Sequence, residues 1–149
     1  MSVNPSADSI PETISVFLES QTCATICCVS NGVPWCFSCF YAFDLEHKML
    51  YYKSSGDNRH SETIAENPSV AGTILPDKLK KISVQGVQFQ GQVLAVDDPA
   101  AGRATSFYHK VHPMALAMPG QVWTVQLNYI KMTDSTLGFG KKIIWNRVY

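Results

Sequence analysis

Charge is scarce in this sequence. Asp, Glu, Lys and Arg make up only 16% of its 149 residues, against roughly a quarter in ordinary soluble domains. The 12 basic and 12 acidic residues cancel, so there is no net charge to capture nucleic acid or an anionic membrane. Low charge density fits a protein that hides part of its surface in an oligomer. Long hydrophobic runs are missing too, since no stretch approaches the roughly 20 apolar residues that span a bilayer. The segment Met1 to Pro11 lacks the basic-then-apolar layout of a secretory signal. A cytosolic chain with no membrane partner is therefore expected. Its five cysteines, Cys23, Cys27, Cys28, Cys36 and Cys39, are then expected to be reduced. Internal repeats, low-complexity tracts and linkers are absent as well. Residues 1–149 read as one domain, long enough to bury a real core.

What is present is mostly strand. Pro11 and Glu12 after Ser9 make a helix start, with Ile14, Phe17 and Leu18 on one face. Cys23 to Ser30 reads as a strand. Asn31-Gly32 is a hairpin turn, because both central residues of the tight turn need positive φ. Pro34 to Asp44 returns, carrying Trp35, Phe37, Phe40, Tyr41 and Phe43. Met49 to Ser54 is a third strand, and Arg59 to Glu66 a short helix that ends before Pro68. Ser69 to Leu75 and Ile82 to Val96 are further strands, and Gly86 and Gly91 in the second suggest bends or close backbone approach. Asp98-Pro99 opens a helix to about Lys110. Gln121 to Thr133 is a long strand, Gly138-Phe139-Gly140 a turn, and Lys141 to Arg147 a closing strand. The pattern predicts a mainly β fold, antiparallel and closed or partly closed into a barrel, since closure removes exposed edges.

Three constellations carry possible chemistry. In Tyr51 to Ser61 a strand gives way to a polar loop and then to a helix that starts with Arg59 and His60. First-turn N–H groups and the helix dipole attract anions. Arg59 can grip phosphate oxygens bidentately, and Ser54, Ser55 and Ser61 carry hydroxyls. The competing reading is a solvated turn with capping residues. Cys36 and Cys39 have the spacing of a zinc knuckle, but residues three apart on a strand point to opposite faces. No metal site is expected. The Asn31-Gly32 turn brings Cys27 opposite Cys36, yet a cytosolic redox poise argues against a disulfide, and small buried hydrophobes are the expected role. His109 and His112 share a helix face. Both haem or metal ligation and a plain dipole preference at a helix end fit them. Gln88 and Gln90 share a strand face with Gln85 opposite, as an outer polar face or as amides for a heteroaromatic edge.

These segments resemble the FMN-binding split barrels typified by pyridoxamine-phosphate oxidase, and within them a small YhbP-like branch. The resemblance is carried by Pro34-Trp35-Cys36, Phe40-Tyr41-Ala42-Phe43-Asp44, Asn58-Arg59-His60, and Gly86-Val87-Gln88-Phe89-Gln90-Gly91. Its most distinctive part is the run from Ile130-Lys131-Met132-Thr133-Asp134 to Gly138-Phe139-Gly140-Lys141-Lys142. It implies a six-stranded antiparallel split β-barrel with flanking short helices, a homodimer, and FMN at the dimer interface. Carried over, Cys36, Ser38, Cys39, Phe40 and Tyr41 line the isoalloxazine and ribityl chain, and Tyr52, Lys53 and Ser54 continue that wall. Asn58, Arg59 and His60 form the phosphate end, with Arg59 holding the phosphate. Gln88 approaches the ring, and Trp145 comes from the second subunit. His60 stands where the family often has Lys, and the oxidase's vitamin-binding residues are not recognisable, so oxidation of pyridoxamine phosphate is not expected. The expected function is an FMN-dependent oxidoreductase acting on an unknown small molecule. The alternatives are a non-catalytic flavin protein for sensing, storage or electron transfer, or a haem-binding barrel using His109 or His112.

Overall fold

A computed structural model describes residues 8–138 and 140–149. The segment 1–7 and Phe139, the middle of the expected turn, lie outside the described residues. Helix α1 spans Glu12–Ser20. Strands β1 (Cys23–Ser30), β2 (Val33–Asp44) and β3 (Met49–Ser54) follow, then helix α2 (Arg59–Glu66). Next come β4 (Ser69–Ile74), β5 (Gln85–Val93), helix α3 (Ala104–Val111), β6 (Gln121–Asp134) and β7 (Lys142–Asn146).

Every pairing is antiparallel. The sheet order is β3-β2-β1-β4-β5-β6-β7, and β3 also pairs with β6. Six strands therefore close into a ring, and β7 extends it beyond β6. This is the expected mainly β, six-stranded split barrel. The Asn31-Gly32 turn has φ of +51° and +76°, as a two-residue hairpin requires.

The ring closes around Ile26, Tyr52, Phe89, Leu127 and Ile130, packed with α1 residues Ile14 and Leu18. Phe89 stands opposite Gly72 in the β4–β5 register. A side chain at Gly72 would collide with the Phe89 ring and with the Thr25 carbonyl oxygen at 2.6 Å. Gly91 sits at the bulge where β5 shifts register against β6; a Cβ there would lie 2.5 Å from the Gln126 carbonyl oxygen. Glycine thus permits the close strand approach foreseen at position 91.

Some boundaries differ from expectation. The strand expected from Ile82 begins at Gln85, because β4 ends at Ile74 and β6 at Asp134, leaving earlier residues no strand to pair with. The helix expected over Asp98 to Lys110 divides into a 3-10 turn, Pro99–Ala101, and α3. Among the described residues no helix is long and apolar enough to cross a membrane.

Candidate functional site

Strand β2 changes neighbours halfway along. Tyr41 to Asp44 pair with Tyr52 to Met49 of β3, whereas Val33 to Phe40 pair only with β1. β3 leaves β2 at Tyr52 and runs on with β6, where Lys53 and Ser54 face Val122 and Gln121. The barrel is split between the free edge of β2 and the end of β3. Pro34 suits that edge, since it has no N–H to pair.

Helix α2 stands at the mouth of the split. The Asn58 side chain caps it, accepting from the Ser61 N–H at 3.1 Å. The same amide donates to the Ser54 hydroxyl at 2.7 Å, and Ser54 lies 2.7 Å from His60 Nε2. The amide N–H donates in the first of these bonds, and the imidazole tautomer sets the direction of the second. Burial pushes the His60 pKa down, which favours the neutral ring. The ring stacks on Phe37, with centroids 3.6 Å apart and planes 8° from parallel.

Arg59 points outward. Its Cζ lies 3.9 Å from the Trp35 ring centroid. Among the described residues no carboxylate is within ion-pair distance of it. A guanidinium flat on an indole keeps its N–H fork available at the rim. Of the first-turn N–H groups of α2 beside it, those of Ser61 and Glu62 are taken by Asn58, which leaves those of Arg59 and His60. The expected hydroxyl donors are already engaged: Ser61 donates to the Ser55 carbonyl at 2.6 Å, Ser55 donates to Asp57, and Ser54 is bonded to both Asn58 and His60. The anion-binding chemistry here is that of Arg59 and backbone N–H groups.

At the other end of the split the cation is spent. Lys53 Nζ donates to the Ala115 carbonyl at 2.7 Å and to His109 Nε2 at 3.0 Å. His109 Nδ1 in turn donates to the Thr105 carbonyl at 2.8 Å. His112 Nε2 donates to the Tyr41 carbonyl at 2.7 Å. Ligation of haem by His109 would first break one of its two bonds, whereas the bond of His112 uses Nε2 alone. Phe40 stays 57% exposed, its ring 6.0 Å from that of His112.

The other expected site residues divide by face. Cys36 and Ser38 face outward, Cys36 beside Cys27 and Ser38 beside Thr25. Cys36 and Cys23 are exposed, which corrects their reading as buried hydrophobes. Tyr41, Tyr52 and Cys39 point inward; the Tyr41 hydroxyl donates to the Leu18 carbonyl at 2.6 Å. Burial pushes the Tyr41 and Tyr52 phenols above their ordinary value and the Cys39 thiol up to about 12. These three offer a ligand only backbone atoms.

Gln88 is exposed on β5, between Thr73 and Lys131, and β4 and β1 separate it from β2. Trp145 is 3% exposed, and its indole N–H donates to the Asp8 carbonyl. Within this chain the ring is committed to the core. The sequence reading missed Trp35 and Phe37 as platforms for Arg59 and His60. Their i, i+2 spacing, which puts both on one strand face, was the available signal.

The family model described as pyridoxamine 5'-phosphate oxidase matches residues 10–130. A UPF0306 protein of Photorhabdus laumondii is 36% identical over 131 residues, covering 88% of this chain and 92% of that one. Among solved structures, a heme binding protein from Mycobacterium smegmatis superposes with a TM-score of 0.75 at 16% identity, over 97% of this chain and 59% of that one. A FAD-binding protein from Mesorhizobium loti superposes with a TM-score of 0.65 at 14% identity, over 81% of this chain and 92% of that one. With most of its length matched by the family model and by a close relative of nearly equal span, the chain belongs to the pyridoxamine 5'-phosphate oxidase family.

Proposed function

We propose that this protein binds FMN along the split and works as a flavin-dependent oxidoreductase on a small molecule. Arg59 carries the reading: a guanidinium held on Trp35, without a carboxylate partner, at the N-terminus of α2. Guanidinium, first-turn N–H groups and helix dipole act together on a phosphate. The free edge of β2 from Trp35 to Phe40 offers backbone donors and acceptors to a polar ring, and exposed Phe40 offers it an apolar face. FMN would supply the hydride chemistry, and the protein position and electrostatics. A homodimer is part of the proposal. Gln88 is out of reach of the split within one chain and would contribute across the interface. Residues 1–149 are taken as a single domain.

The likeness to a heme binding protein supports a second reading, haem on the same barrel. The bonds of both His109 ring nitrogens, to Lys53 and to the Thr105 carbonyl, count against that histidine as the ligand. A visible spectrum separates the two: flavin bands sustain the first, a Soret band the second. Reduction of the bound flavin by a nicotinamide cofactor would support catalysis over storage or sensing.

The decisive test titrates FMN and riboflavin into wild type and Arg59→Ala. Charge-assisted hydrogen bonds contribute roughly 1.5–3 kcal/mol each, so FMN should weaken by roughly one to two orders of magnitude. Riboflavin lacks the phosphate and should bind both proteins alike. Equal losses for the two flavins, or no FMN binding by wild type, would remove the site.

A further inference from the structure

Two of the five thiols face each other. Cys27 and Cys36 are opposite in the β1–β2 register, and their sulfurs are 2.8 Å apart. That is closer than unbonded sulfurs ordinarily pack, in a chain where both are free thiols. Pro34 identifies the kind of pair. It has no N–H, so Val29 and Pro34 cannot exchange two hydrogen bonds. Pair types alternate along an antiparallel ladder. Cys27 and Cys36, two steps further, are again a non-hydrogen-bonded pair, in which Cα atoms lie about 4.5 Å apart. Disulfides need Cα separations of about 4.4–6.8 Å. The remaining cysteines have no such neighbour in this hairpin: Cys23 faces Phe40, Cys28 faces Trp35 and Cys39 faces Ala24.

We propose that Cys27 and Cys36 are a reversible dithiol–disulfide couple, closed by low-molecular-weight disulfides of the glutathione type. The Cys36 thiolate attacks one sulfur of the small disulfide, forming a mixed disulfide and releasing one thiolate, which takes up a proton. Cys27 then gives its proton to solvent, attacks the Cys36 sulfur and expels the second small thiol. The two cysteines are oxidised by two electrons, and one small disulfide becomes two thiols. Exposure sets the order, because Cys36 is exposed and Cys27 half-buried. The hydrogen bond that Cys27 shares with Cys36 holds its proton and pushes the thiol up to about 11, which suits the resolving rather than the attacking role. The bond fastens the half of β2 that no strand pairs on its other side. None of this depends on the flavin reading.

The test uses the full chain as wild type and with Cys23→Ser, which removes the other exposed thiol. Reduced protein is incubated with oxidised glutathione, alkylated under denaturation, digested and weighed. The expected product is a peptide linked through Cys27 and Cys36, with Cys28 and Cys39 alkylated and the link reversed by dithiothreitol. Cys27→Ser should accumulate glutathione on Cys36, and Cys36→Ser should react at least about tenfold more slowly than wild type. A stable glutathione adduct on wild-type Cys36 without the link would overturn the proposal. So would a Cys36→Ser protein that reacts at Cys27 as fast as wild type.

Discussion

On one side of the barrel β4, β5 and β1 approach until only glycine fits between them, with Gly72 under the Phe89 ring and against the Thr25 carbonyl. On the other side β2 and β3 part after four paired residues, and Trp35 and Phe40 remain 39% and 57% exposed. The closed side commits its inward face to packing. The split side leaves a strand edge, two aromatic rings and an unpaired guanidinium. Stability and recognition are thus assigned to opposite walls of one ring, so substitutions on each wall should be separable in what they change.

The largest effect is expected on the closed wall. Gly72→Ala puts a methyl 2.6 Å from the Thr25 carbonyl oxygen, which cannot yield without parting β1 from β4. Overpacking of this kind costs about 1–3 kcal/mol, or a fall in Tm of roughly 3–10 °C for a chain of this size. Gly56→Ala is the control, since its nearest neighbour would be Trp123 at 3.9 Å, and its melt should match wild type. A Gly72→Ala protein that melts with wild type would show that the closed wall is looser than its geometry implies.

The second effect belongs to the split wall. Arg59→Ala should lose FMN affinity roughly ten- to a hundredfold, while its flavin-free melt stays where wild type's is. A matching fall in Tm would mean that Arg59 helps hold the fold, and the separation of walls would fail. Trp35→Ala sharpens the same point with a smaller effect. The cation–π contact is worth about 0.5–1 kcal/mol at an exposed site, so FMN should weaken roughly two- to fivefold. Trp35→Phe, which keeps a ring under the guanidinium, should recover part of it.

The sequence carried the split wall's scaffold more fully than its contacts. β1, β3 and α2 lie where residue pattern and turn chemistry put them, because Asn31-Gly32, Asn58 and Asn67-Pro68 act on the backbone locally. Ile82 misled for a physical reason. Its β-branched side chain suits a strand, but it is fully exposed and has no strand beside it. The position of Arg59 at a helix start was legible, whereas its indole platform was not. The stack depends on how α2 turns against β2, and no local propensity fixes that angle. The burial of Trp145 was not legible either: only the pairing of β7 with Ile130 of β6 turns it inward.

The smallest expected effect concerns His60, where the two walls meet at Phe37. Its burial disfavours the charged imidazole, so its pKa in the folded chain lies below the ordinary 6.5. The unfolded chain then binds a proton at a higher pH than the folded one. Above about pH 6.5 both states hold a neutral ring and His60 contributes no pH dependence. As pH falls below that value the unfolded state takes up the proton first, and stability declines until the folded-state pKa is passed. Urea unfolding of wild type and His60→Gln between pH 7.5 and pH 5, each a value of about that size chosen to bracket the ordinary imidazole range, isolates this group from the other histidines by difference. Wild type should lose more stability on acidification than the variant, and the gap should open only below about pH 6.5. Parallel pH profiles would mean that the imidazole tolerates its proton where it stands. In that case His60 would be free to act as a second cation beside Arg59 in acid, and FMN affinity of the wild type should rise as pH falls.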